Sequence, residues 1–310
     1  MVTTTESTAV LLLSHGSRDP RAAYVVDGLV AAVARRGGRE VRAAHLDFTT
    51  PTPHVALRQL ANDGFTSVRV VPLLFTPGYH LTHDVPLAVE TSGVTHRMHV
   101  SVAPPLLSGG RRARELLLTA LADRLLQAGV DRQVDALVLA SAGSSSRAAR
   151  LHIGSLARDL ERAHGIPVMP AFASAATPSP IQALEALSDK GIQNPAVASL
   201  FVAPGRLSDS VVAACPDLPV ADPLGVSPAF VELLVAQAQV LSTTTYLAGG
   251  EGSDSSDDGH CRRTQFGRST RADDRGQRGE DDLLTGQTPI HDAGHRGVAL
   301  TTGIHQSADD

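Results

Sequence analysis

From the N-terminus the chain alternates short apolar runs with amphipathic stretches, each pair separated by a Gly, Ser or Pro break. Six runs have the length and β-branched content of buried strands: 9–14 (AVLLLS), 40–46 (EVRAAHL), 67–75 (SVRVVPLLF), 97–103 (RMHVSVA), 135–141 (DALVLAS) and 195–202 (PAVASLFV). Between them, stretches such as 20–36, 53–63 and 110–127 repeat apolar residues at helical spacing. Strands alternating with helices predict parallel sheets with helices on both faces. The fold class is therefore α/β.

The pattern also repeats. At a shift of 127 residues the chain matches itself without a gap, from His15 over Ala142 to Pro51 over Pro178. LLLSHGSRDPRA then lies over VLASAGSSSRAA, TPTPHVALRQL over TPSPIQALEAL, and FTPGYH over VAPGRL. APPL (103–106) and ADPL (221–224) match at a shorter shift, each followed by a helix read as closing its half. This is an internal duplication. It predicts two tandem doubly wound, flavodoxin-like halves, 1–128 and 129–242, followed by a tail, 243–310.

Charge sharpens the last boundary. The formal net charge is -5, from 32 acidic and 27 basic residues, and residues 249–310 hold 12 of the acids and 7 of the bases. The remainder cancels, so the acidity belongs to the tail. Its Gly, Asp, Ser and Arg follow no period, and such a segment is expected to be disordered because it cannot offset its own ordering entropy. A body without a basic excess argues against nucleic acid as a partner. Two cysteines, Cys215 and Cys261, neither in a CxxC pair, exclude a disulfide scaffold and a cysteine zinc site and suit a reducing cytoplasm. No signal peptide or apolar span of roughly 18 residues is present, so no membrane association is expected.

A duplicated sequence is its own control, because packing residues persist in both copies while a chemical group need survive in only one. Gly16 and Gly143, Pro51 and Pro178, Pro53 and Pro180, and Gly78 and Gly205 persist, as backbone requirements would. His15 becomes Ala142, Asp47 becomes Ser174 and His80 becomes Leu207. Only the first half is armed. These three residues follow the first, second and third strands, and in a sheet of order 2-1-3 those carboxyl ends are neighbours at the crevice where ligands bind. Two imidazoles and a carboxylate suit a divalent Fe, Co, Ni or Zn ion with coordination positions left open. Taken singly, His15 is equally a capping or core histidine and His80 a solvated loop residue; their joint loss from the duplicate favours the functional reading. His45, His54, His96 and His99 are read as structural or exposed. Ser14, Ser17 and Arg18 before the first helix, Ser144 to Ser146 before its counterpart, and Arg206 after the second Pro-Gly turn are anion-friendly. Arg21 reads as a solvated side chain.

The motifs LLLSHGSRDP (11–20), LDFTTPTPHVAL (46–57) and VVPLLFTPGYHLTHDVP (70–86) resemble the class II tetrapyrrole chelatases, the sirohydrochlorin ferrochelatase and anaerobic cobaltochelatase family, in its long two-half form. The resemblance covers about residues 9–240. It implies ATP-independent insertion of a divalent metal into sirohydrochlorin, with Fe2+ or Co2+ as substrate, no permanently bound cofactor, and His15 and His80 as metal-holding and catalytic residues. Asp47 stands where the family usually has glutamate, which leaves metal contact and proton acceptance both open to it. His83 is an outer candidate. Ser14, Ser17, Arg18, Ser144 and Arg206 would hold the carboxylates of the tetrapyrrole. With both halves in one chain, a monomer is expected. Iron and sirohaem rank first, cobalt and the cobalamin branch second, and a non-catalytic metal or tetrapyrrole carrier is the alternative of a different class. A histidine phosphotransfer reading of the HGS element lacks the Arg that would precede the histidine, since Ser14 stands there.

Overall fold

The computed structural model describes residues 7–77, 83–130, 133–239 and 244–246. In the first half, β1 (Thr8–Ser14), α1 (Pro20–Gly37), β2 (Val41–His45), α2 (Pro53–Asn62), β3 (Ser67–Pro72), α3 (Val85–Ser92), β4 (His99–Val102) and α4 (Gly110–Gln127) alternate. The second half runs β5 (Ala136–Ser141), α5 (Arg147–His164), β6 (Val168–Phe172), α6 (Pro180–Ser188), β7 (Pro195–Leu200), α7 (Arg206–Ala214) and α8 (Pro228–Gln239), and β8 (Thr244–Tyr246) follows. The sheets have orders β2-β1-β3-β4-β8 and β6-β5-β7. All pairings are parallel except β4 with β8, which is antiparallel. In the second half the place of β4 is reduced to a single parallel bridge between Val197 and Val220.

Local signals explain the helix starts. Asp19 caps α1 by accepting from the Arg21 backbone N–H, with Pro20 at the first position. Ser179 and Gln182 form a reciprocal capping box on α6. Gly38, Gly93 and Gly165 end α1, α3 and α5 in the left-handed region.

Two strands fall outside the six apolar runs. One is β6, whose segment PVMPAF contains two prolines that argue against a strand. It is an edge strand, opposite only β5, and an edge tolerates a missing N–H. The 127-residue shift carries β2 onto it residue for residue. The other is β8, which extends the first sheet past position 242; the rest of 243–310 lies outside the described residues. β3 is shorter than its apolar run, because Leu73, Leu74 and Phe75 leave the sheet after Pro72 and turn toward the space between the halves.

The helices expected to close their own halves are exchanged. α8 packs against α1 and β3 of the first half, and α4 against β7 of the second as well as against α8. Arg124 on α4 donates to the Leu224 carbonyl at 2.8 Å, and Arg36 on α1 pairs with Glu232 on α8 at 2.6 Å. One buried cluster consequently runs through both halves, joining Val10, Leu12 and Leu29 to Leu137, Leu139 and Leu156 through Leu117, Leu121, Phe230 and Leu234. Ala9, Leu11 and Leu13 point to the opposite face of their sheet, into a second cluster under α2 and α3. Both faces of β1 are thus covered, which is why its run is apolar without alternation.

Candidate functional site

The carboxyl ends of the two sheets face a common cleft of about 1180 Å³, lined by loops from both halves. That is slightly above the roughly 300–1,000 Å³ usual for small-molecule sites. His15, Gly16, Ser17 and Arg18 enter it from the β1–α1 loop, Phe48 and Thr49 from the β2–α2 loop, Ser144 from the β5–α5 loop and Arg206 from the start of α7.

The loops that carry His15 and Asp47 are fastened together by their backbones. Leu46 N–H donates to the Ser14 carbonyl at 3.1 Å, and Asp47 N–H to the His15 carbonyl at 2.8 Å. Gly16 takes φ +90, and a Cβ there would stand 1.7 Å from the Asp47 carbonyl oxygen. Only glycine lets the loops approach this closely. The approach brings His15 Nε2 to 3.9 Å from Asp47 Oδ2, both side chains remaining about half exposed. Two donors on one tetrahedral ion, with bonds of about 2.1 Å, stand about 3.4 Å apart. The observed gap is too long for a direct hydrogen bond and suits a bridging water, or an ion reached after a small side-chain shift.

Ser14 is buried beneath this pair. Its hydroxyl lies 2.7 Å from His45 Nδ1 and accepts from the Gly16 N–H at 3.2 Å, so it braces the loop from inside. His45 is buried, as its structural reading requires, and burial pushes its pKa below the ordinary imidazole value against a weaker opposing pull from Asp27. Ser17 Oγ accepts from the Asp19 N–H at 3.0 Å, and Ser144 Oγ from the Ser146 N–H at 3.1 Å. Arg18 and Arg206 are exposed at the cleft.

His80 lies outside the described residues, and His83 is exposed just before α3. Among the described residues no group of three or more His, Cys, Asp or Glu side chains is placed to hold a metal ion. No helix among them is long and apolar enough to cross a membrane.

Three further features emerge only in three dimensions. Phe48 stacks on His15, with ring centroids 6.2 Å apart at 30°, and the Arg18 guanidinium carbon stands 4.9 Å from the Phe48 centroid. Arg150, where the first half has Ala23, lines the cleft and donates to the carbonyls of Ser144 and Ser145 at 2.9 and 2.7 Å. Arg21, exposed as its reading as a solvated side chain expects, also joins Asp19 at 2.6 Å to Asp209 on α7 at 2.5 Å and so bridges the halves. Its guanidinium holds the Asp19 carboxyl below the usual carboxylate range. With Asp19 and Asp209 paired in this way, Arg18, Arg150 and Arg206 give the cleft a cationic rim. Phe48, Thr49 and Arg150 all differ from their partners at the 127-residue shift (Ala175, Ala176 and Ala23), and that difference is the signal that marks them.

Known proteins agree with this architecture. The solved structure of SirB from Bacillus subtilis with Fe3+ superposes with a TM-score of 0.62, covering 75% of this chain and 96% of that one at 21% identity. The sirohydrochlorin chelatase SirB from Bacillus subtilis subspecies spizizenii in complex with cobalt gives 0.59 over 75% and 94% at 18% identity. These likenesses concern the fold. In sequence, the chain is 30% identical over 98 residues to the sirohydrochlorin cobaltochelatase of Methanococcoides burtonii, 31% of this chain and 75% of that protein. The family model CbiX matches twice, over residues 9–128 and 136–240, once in each half. The chain therefore belongs to the CbiX family, the class II chelatases that its motifs resemble.

Proposed function

We propose that the protein inserts a divalent metal ion into sirohydrochlorin without ATP, with Fe2+ as the physiological metal and sirohaem as the destination of the product. The observation that carries this reading is the His15–Asp47 pair at neighbouring strand ends, with His15 lining a cleft of about 1180 Å³ and the pair replaced by Ala142 and Ser174 in the other half.

Insertion requires two pyrrole N–H protons to leave as the metal enters. A neutral imidazole either donates its lone pair to the ion or accepts such a proton. His15 and His80 take these parts at one face of the ring, and Asp47 accepts or relays the proton that His15 receives. Arg18 and Arg206, with Ser17 and Ser144 at the loop edges, bind the carboxylates of the substrate, and Ser14 keeps His15 in place from below. The metal is a substrate and no resident cofactor is needed.

A relative that is a cobaltochelatase favours a second reading, in which Co2+ is inserted on the way to cobalamin. Purified protein mixed with sirohydrochlorin and Fe2+ or Co2+ is expected to change the absorption spectrum faster than spontaneous insertion, and the ratio of the two rates separates the readings. No acceleration with either metal, together with tight binding of tetrapyrrole, would leave a carrier in place of an enzyme.

A further inference from the structure

The first-half loop carries a feature that catalysis by His15 and Asp47 does not explain. Phe48 is 60% exposed, although the chain has only 7 phenylalanines and no tryptophan. Its backbone adopts φ 62, a region that bulky side chains rarely enter. The duplicate residue Ala175 adopts φ 56 in the same turn, so the left-handed backbone belongs to the loop and the phenyl ring does not. A methyl group satisfies the fold at this place. The ring is an addition to the half that carries the histidine.

Its surroundings say what the addition serves. The ring lines the cleft, lies against the imidazole of His15 at 6.2 Å and has the Arg18 guanidinium 4.9 Å from its centroid. An apolar plate beside a proton-accepting group, with a cation at its edge, is complementary to a flat conjugated ring that has carboxylates around its rim. We infer that Phe48 is a binding residue on which the tetrapyrrole seats beside His15, while Arg18 meets a rim carboxylate. The inference rests on the proposed tetrapyrrole substrate and deepens it. Ligand binding would also cover the exposed ring, recovering the apolar burial that the free protein forgoes.

Titration of metal-free sirohydrochlorin into the full-length wild-type protein and the variants Phe48→Ala and Phe48→Tyr tests this. Phe48→Ala is expected to weaken binding and raise KM by about tenfold, the scale of one aromatic contact. It should leave kcat at saturation within about twofold and the melting temperature unchanged, since alanine already occupies the equivalent turn. Phe48→Tyr should restore binding and the absorption shift of the bound tetrapyrrole. Wild-type affinity in Phe48→Ala overturns the inference, as does a fall in kcat with KM unchanged, which would mean that the ring acts through His15. Failure of the wild-type protein itself to bind sirohydrochlorin overturns the substrate and the inference together, and is told apart by occurring before any substitution.

Discussion

The loops at residues 14–18 and 45–51 and those at 141–145 and 172–178 are the same backbone with different chemistry. Each pair is tied by an N–H from the second loop to a carbonyl of the first, Asp47 to His15 at 2.8 Å and Ser174 to Ala142 at 3.0 Å. Each has a cis proline, Pro51 and Pro178, whose carbonyl accepts from His45 or Phe172 at 2.9 Å. Each has a glycine whose missing Cβ makes room for a carbonyl, Gly16 for that of Asp47 and Gly143 for that of Ser174. Steric requirements held these positions in both copies, while positions that only present a side chain diverged: His15 against Ala142, Asp47 against Ser174, Phe48 against Ala175. The difference teaches that the loop is a mount, and that the fold does not depend on what is mounted.

The comparison is broken most severely at the histidines. His15→Ala and His80→Ala should each lower the rate of metal insertion by roughly 10²–10⁴-fold, the scale of a lost acid-base group. The melting temperature should stay put, since Ala142 already serves the second copy in the place of His15. Normal turnover in either variant would refute the assigned site.

The glycines come next. Gly16→Ala and Gly143→Ala place a Cβ 1.7 and 1.9 Å from a carbonyl oxygen at φ +90 and +93. Both should destabilise by an amount on the order of 3 kcal/mol or more, read by denaturant unfolding. An effect confined to Gly16 would show that the second mount no longer supports its half.

A smaller effect distinguishes the buried residues behind the mounts, His45 in the first half and Phe172 in the second. The His45 pKa is pushed below 6.5 by burial, so protonation favours the unfolded chain. The stability attached to a neutral His45 is complete above about pH 6.5 and is lost as the pH falls from there toward the lowered native value. Thermal unfolding of the wild type should weaken between pH 7.5 and 5.5. His45→Phe, copying the second half, should flatten that slope and cost about 1 kcal/mol through the lost bond between the imidazole and the Ser14 hydroxyl. An unchanged slope would assign the acid sensitivity elsewhere.

The least effect is expected from removing residues 248–310, which have no counterpart in either half: neither turnover nor melting temperature should change. A loss in either would show that the segment docks on the body.

The sequence by itself determined most of the element order, the duplication and which half carries His15, Asp47 and His80. These depend on short-range stereochemistry (alternation, caps, turn glycines), which is written locally and here is written twice. Even β6, hidden by its prolines, was available through its alignment with β2. Tertiary structure alone decided which helix covers which sheet, since the apolar faces of α4 and α8 suit either half and only the packed whole exchanges them. It also decided that Ser14 braces His45, that Arg21 spans from Asp19 to Asp209, and that Phe48 lies on His15. Those contacts are set by where chain segments far apart in sequence converge, and no residue pattern within one segment records the distance to another.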